Sequence, residues 1–231
     1  MTAARALQIV DYPETDHMGE HALQRFIAEL LRPLIVAWLL TLGRRLFVGA
    51  DQFFYLVEGD TRQRIAPDVY VLPGVDPDCA PSCWKRWEIP GGPSFALEIV
   101  SSRFHKDYDD MPPAYARLGA KELVIFDPHA TARSRVRVRW QVYRRLGRRG
   151  FRLVERSNED RVYSVELGCF LRVVGDGDQR RIRLATGARG DVVVPTTEER
   201  LRAELVVQAS TLAALDAEVA RLRAALAARS D

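Results

Sequence analysis

Ser94-Phe95-Ala96-Leu97-Glu98-Ile99-Val100 is an apolar run interrupted by one carboxylate. A short, continuously apolar segment of this kind reads as a strand buried on both faces. A carboxylate inside it is costly unless it is paired, hydrogen-bonded or bound to a metal. The same problem arises upstream in Ile65–Leu72, where Pro67-Asp68-Val69-Tyr70-Val71 reads as a strand entered through proline, with an acid at its mouth. Taken singly, Asp68 reads as a turn or capping residue and Glu98 as the buried partner of an arginine. Taken together, two acids on neighbouring strands can point at one spot, where they repel unless a divalent cation neutralises them. Magnesium suits two carboxylates, being a hard cation that accepts few protein oxygens and keeps several waters.

Working outward, Glu20 to Leu42 has helical apolar spacing, with Pro33 expected to kink or split it and Gly43 to close it. Leu46–Val48 and Gln52–Val57 read as strands, followed by the turn Glu58-Gly59-Asp60. Residues 73–93, rich in Pro, Cys, Trp and Gly, read as a long loop. Asp109-Asp110 and the prolines after Met111 open a helix that Gly119 closes, and Leu123–Phe126 is a further apolar strand ended by Asp127-Pro128. Strand, helix and strand in so short a stretch suggest a βαβ-like crossover or an antiparallel return.

Arg135 to Tyr143 alternates valine and tryptophan with arginine and predicts a half-exposed strand. Its Arg135, Arg137 and Arg139 row either tracks a DNA backbone or protects a solvated edge. Short strands are expected near Phe151–Val154, Arg161–Val165, Phe170–Val174 and Arg181–Leu184. The tail differs: Leu201, Leu205, Gln208, Leu212, Leu215, Val219, Leu222 and Leu226 alternate spacings of four and three, a heptad seam. Self-association through it is favoured over packing on its own domain.

The 231 residues, 47% hydrophobic and 28% charged, allow one ordinary domain with an appendage or two small domains. A net charge of +3 does not by itself argue for nucleic acid. Cys79, Cys83 and Cys169 make neither a disulfide framework nor a zinc site, and read as free thiols. Leu34–Leu42, the longest apolar stretch, is too short to span a bilayer, and the N-terminus lacks a basic region followed by an apolar run, so the expected location is the cytoplasm without a membrane anchor. The only lysines are Lys85, Lys106 and Lys121.

Several blocks occur in a telling order: Ile65-Ala66-Pro67-Asp68-Val69-Tyr70-Val71, Leu97-Glu98-Ile99-Val100-Ser101-Ser102, Lys106-Asp107-Tyr108, Tyr115 to Leu123, and Phe126-Asp127-Pro128. The series resembles the Uma-type restriction endonuclease family, a branch of the PD-(D/E)xK nuclease superfamily, from about residue 10 onward. The resemblance implies an α/β (α+β) fold, a mixed central β-sheet flanked by helices. The nuclease-like domain would span 1–192 and a coiled-coil helix 193–231. It implies a DNA endonuclease that hydrolyses phosphodiester bonds by metal-activated water and requires Mg²⁺ or Mn²⁺, dimeric through its tail.

By that resemblance Asp68, Glu98 and the backbone carbonyl of Ile99 are the metal ligands. The superfamily's lysine position is Val100, and the position used by the Uma branch is Met111. Lys85 falls in the long loop and Lys121 begins a later strand, so Lys106 is the candidate catalytic lysine. Asp107 matches an acidic position that braces the site, Glu20 a helix-borne acid that assists the metal, and Ser101 can contact phosphate. The competing expectation, favoured by Met111, is a degenerate nuclease fold that binds DNA or a protein partner.

Overall fold

The computed structural model describes residues 22–100 and 108–227. The expectations for Glu20, Ser101, Lys106 and Asp107 fall outside the described residues.

Helix α1 is Ala22–Thr41. It runs unbroken through Pro33, contrary to the expected split. Pro33 lies on the exposed side, where water can serve the carbonyl that proline leaves unmatched. The strands are β1 (Phe47–Gly49), β2 (Phe53–Tyr55), β3 (Arg64–Ile65), β4 (Val69–Leu72), β5 (Cys83–Lys85), β6 (Phe95–Ile99), β7 (Glu122–Phe126), β8 (Trp140–Arg145), β9 (Phe151–Ser157), β10 (Arg161–Ser164), β11 (Cys169–Val174), β12 (Arg181–Thr186) and β13 (Val192–Val193). Helix α2, Met111–Leu118, lies between β6 and β7, and α3, Thr197–Ala227, follows β13.

The central sheet has six strands in the order β1-β4-β6-β7-β8-β9. Its pairings are antiparallel except β6–β7, which is parallel. The β6-α2-β7 unit is therefore a crossover, the first of the two expected alternatives. Gly119, at φ 91°, ends α2 in a left-handed conformation suited to glycine, its amide bonded to the carbonyls of Tyr115 and Ala116. Two smaller sheets, β10-β11-β12-β13 and β3-β2-β5, cover the two faces. β5 lies within the segment expected to be a structureless loop; it pairs parallel to β2.

Alternation along β6 divides the core. Phe95, Leu97 and Ile99 join α1 and the four-stranded sheet in one apolar cluster. Ala96 and Val100 face α2 and the three-stranded sheet in the other. The one polar position of the strand, Glu98, therefore points toward α2. In the second cluster Tyr70 accepts a hydrogen bond from the Trp84 indole and donates one to Gln52 Oε1. A Cβ on Gly49 would overlap the Tyr70 ring, which these two bonds hold in place. Gly49→Ala should therefore cost about 3 kcal/mol and lower the melting temperature by about 6–12 °C in a thermal melt. Gly91→Ala, where a Cβ meets open space, serves as the neutral control; equal melting of the two variants would refute this packing.

The strand expected from Arg135 begins only at Trp140. Its partner β7 stops at Phe126; the Asp127 amide still donates to the Arg139 carbonyl at 2.9 Å, but Pro128 has no amide to continue the ladder to residues 135–138. The fully buried Asp127 instead takes the Arg137 guanidinium at 2.9 Å, the Tyr108 hydroxyl at 2.7 Å and the His129 amide at 2.8 Å. Arg139 donates to the carbonyls of Ala130 and Glu159.

A second buried acid joins two sheets. Glu122 of β7 is fully buried and receives Arg144 Nε at 2.7 Å, the Val165 amide at 3.1 Å and the Ser164 hydroxyl. Nearby, burial and the charge of Glu122 push the Cys169 thiol up to about 12, as befits an inert core thiol.

The first turn of α3 is anchored. The Glu199 amide donates to Thr196 Oγ1 at 3.0 Å and the Thr196 amide to Glu199 Oε2 at 2.8 Å, a reciprocal capping box. Arg183 of β12 donates to both Glu199 oxygens, at 3.0 and 2.6 Å. Those bonds hold the Glu199 carboxyl down at about 2.

Candidate active site

Strand register brings the two acids together. Tyr70 pairs with Ala96 and Val69 with Leu97 across β4 and β6. Asp68 immediately precedes β4 and Glu98 follows Leu97 in β6, so the pairing that closes the apolar core also leaves both acids at the same end of the β4–β6 pair.

Each acid is held. Asp68, only 7% exposed, accepts the backbone amide of Ile99 through Oδ2. Glu98 accepts the hydroxyl of Tyr115 through Oε1. Tyr115 is fully buried on α2, and its phenol is raised well above its ordinary value by burial first, then by the charge of Glu98, their hydrogen bond, and the charge of Asp68. It therefore remains an O–H donor to Glu98.

The carbonyl of Ile99 projects from the same strand edge as its amide, hence on the side of Asp68. It accepts Gln24 Nε2 of α1 at 2.5 Å. Gln24 is a site residue that sequence reasoning missed. It lies one turn after the expected Glu20, but a glutamine on an amphipathic helix carries no signal of its own until the helix is docked.

The chemistry of this donor set fits magnesium. It comprises two carboxylates and one carbonyl, all hard oxygens. Asp68, Glu98 and the Ile99 carbonyl would hold the ion.

Of the lysines among the described residues, neither approaches this pair. Lys85 is bonded to Glu88 at 2.9 Å in the small sheet. Lys121 adjoins the start of β6, the opposite end from Glu98, with its amide on the Pro93 carbonyl. Met111 precedes Tyr115 by one turn on the same helix face and packs into the apolar cluster there. Arg135 and Arg137 lie at the Glu98 end of the sheet, where with Arg156 they border a shallow depression of about 290 Å³.

Comparison with known families matches residues 14–169 to Uma2, described as "Putative restriction endonuclease". The chain belongs to the Uma2 family. Asp68, Glu98, Tyr115 and Met111 all fall inside the matched span, and the helix α3 lies beyond it. Among solved structures the chain is similar to "a putative nuclease belonging to DUF820" from Anabaena variabilis, at 13% identity and a TM-score of 0.44, over 64% of this chain and 75% of that one. No curated protein matches. The Uma2 assignment makes this a nuclease-like chain, and no helix among its described residues is long and apolar enough to cross a membrane.

Proposed function

We propose that this Uma2 protein is a Mg²⁺-dependent DNA endonuclease of the cytoplasm, with Mn²⁺ as an alternative ion, acting as a homodimer through α3. What supports the reading is the placement of Asp68 and Glu98 at the same end of the β4–β6 pair, with Tyr115 bonded to Glu98. Two carboxylates brought to one edge of the core are a donor set suited to a divalent cation. A bound Mg²⁺ would supply positive charge for the phosphate and a more acidic water.

The chain's own residues do the positioning. Asp68 and Glu98 present their oxygens from adjacent strands, fixed by the Ile99 amide and the Tyr115 hydroxyl. Water oxygen attacks phosphorus as its proton passes to solvent, the bond from phosphorus to the sugar oxygen breaks, and the leaving sugar oxygen takes a proton from solvent. Lys106, in the segment between β6 and α2, orients that water, with Asp107, Ser101 and Glu20 in supporting roles. Arg135, Arg137 and Arg139 form the proposed backbone contact, with Arg135 and Arg137 bordering the depression at the same end of the sheet. Residues 1–192 form the proposed nuclease unit and 193–231 the coiled coil.

A second reading, a binding module without catalysis, is favoured by Met111, whose thioether stands where the family places a lysine. Nicking of supercoiled plasmid separates the two. Wild type should nick with Mg²⁺ or Mn²⁺ and stop with chelator, and Lys106→Ala should slow by about 10²–10³. DNA retention on a gel without nicking under either metal would establish the binding module.

A further inference from the structure

We propose that α3 pairs with α3 of a second copy as a parallel, in-register two-stranded coil, which sets two nuclease-like domains at one end of the coil, facing one DNA duplex. The pairing deepens the dimer reading above, and the shared duplex rests on the nuclease reading.

Helix α3 is 31 residues long and, beyond its first turn, its seam from Leu201 to Leu222 stays exposed among the described residues. The seam residues Leu201, Leu205, Leu212, Leu215, Val219 and Leu222 are each 42–64% exposed. They recur at alternating steps of four and three, which places them on one stripe of the helix. Such a stripe, continued over several heptads, is covered by a like helix.

The flanking charges choose the direction. Glu218 precedes Val219 and Arg223 follows Leu222, so these acids and bases border the seam on opposite sides. In a parallel, in-register pair Glu218 of each copy faces Arg223 of the other, twice by symmetry. In the single chain Glu218 is held by Arg221 of its own helix, with Nε to Oε2 at 2.8 Å, and the contact with Arg223 of the second copy would share that carboxylate. An antiparallel pair that keeps every apolar layer sets Leu205 against Leu222. It then brings Arg202 against Arg223 twice and makes no compensating pair.

Gln208 points the same way. In the parallel arrangement the two Gln208 amides share a layer, and each can donate to the other. In the antiparallel one Gln208 faces Val219, leaving a buried amide without a partner. Because Arg183 bolts the first turn of α3 to β12, the direction of the coil dictates where the domains go.

The test uses the full chain with Leu205→Cys, alone and mixed with Leu222→Cys, in a redox buffer, against wild type as the control for the native thiols. A disulfide-linked dimer from Leu205→Cys alone is expected. In the antiparallel pair those two positions lie about 25 Å apart and cannot join. Glu218→Arg should weaken the dimer about tenfold in sedimentation, and Glu218→Arg with Arg223→Glu should restore it. Cross-linking only in the mixture would overturn the parallel direction and leave the dimer standing. A wild-type chain that sediments as a monomer throughout would overturn the dimer itself, and a parallel dimer that never nicks DNA would fault only the nuclease reading.

Discussion

Asp68→Asn should abolish Mg²⁺-supported nicking, lowering the rate by on the order of 10³-fold or more. The effect follows from losing one of the two carboxylates proposed to hold the ion. Asparagine is the same shape and keeps an oxygen to accept the Ile99 amide, so the local bond survives. On the proposed reading Mg²⁺ should raise the melting temperature of wild type and leave that of the variant unchanged. Calorimetric titration of Mg²⁺ separates ligand loss from misfolding. A variant that nicks within tenfold of wild type, or binds Mg²⁺ unchanged, removes Asp68 from the site.

Arg144→Ala is expected to be among the most destabilising changes in the chain, by about 3–5 kcal/mol in denaturant unfolding. It strips the arginine from Glu122, which is fully buried and cannot regain water where it sits. The Ser164 hydroxyl and Val165 amide remain, but neither supplies a positive charge. The damage falls on the junction of two sheets, since Glu122 belongs to β7 and its other partners lie at the end of β10. Replacing both Glu122 and Arg144 by leucine should recover much of the loss, because a buried ion pair is costly to break and cheap to replace. A loss below 1 kcal/mol in Arg144→Ala would mean that water reaches Glu122 in solution.

The site was legible in part. A carboxylate in an apolar strand announces itself, because periodicity shows the burial and chemistry shows the anomaly. Glu98 was therefore visible locally, and Asp68 followed from the proline that opens its strand. Arg137 was misplaced for the opposite reason: alternation over residues 135–143 is a local pattern, and it gave no warning that the partner strand ends at Phe126. Asp127 then takes the guanidinium that an extended ladder would have left facing solvent. Cys83–Lys85 was missed because three residues among prolines carry no period of their own. They form a strand only because Phe53–Tyr55 stands beside them.

Local sequence was enough for the elements whose stability is local or periodic: the long first helix, the apolar strands β6 and β7, the glycine-ended α2 and the heptad stripe of α3. It also marked two acids as out of place. Tertiary packing alone settled that these acids lie at the same end of the β4–β6 pair, that Tyr115 reaches Glu98 from α2, and that Gln24 reaches Ile99 from α1. Each of those depends on strand register and helix docking between segments up to 75 residues apart, and the energy that selects them is burial of the whole core, which no window of sequence contains.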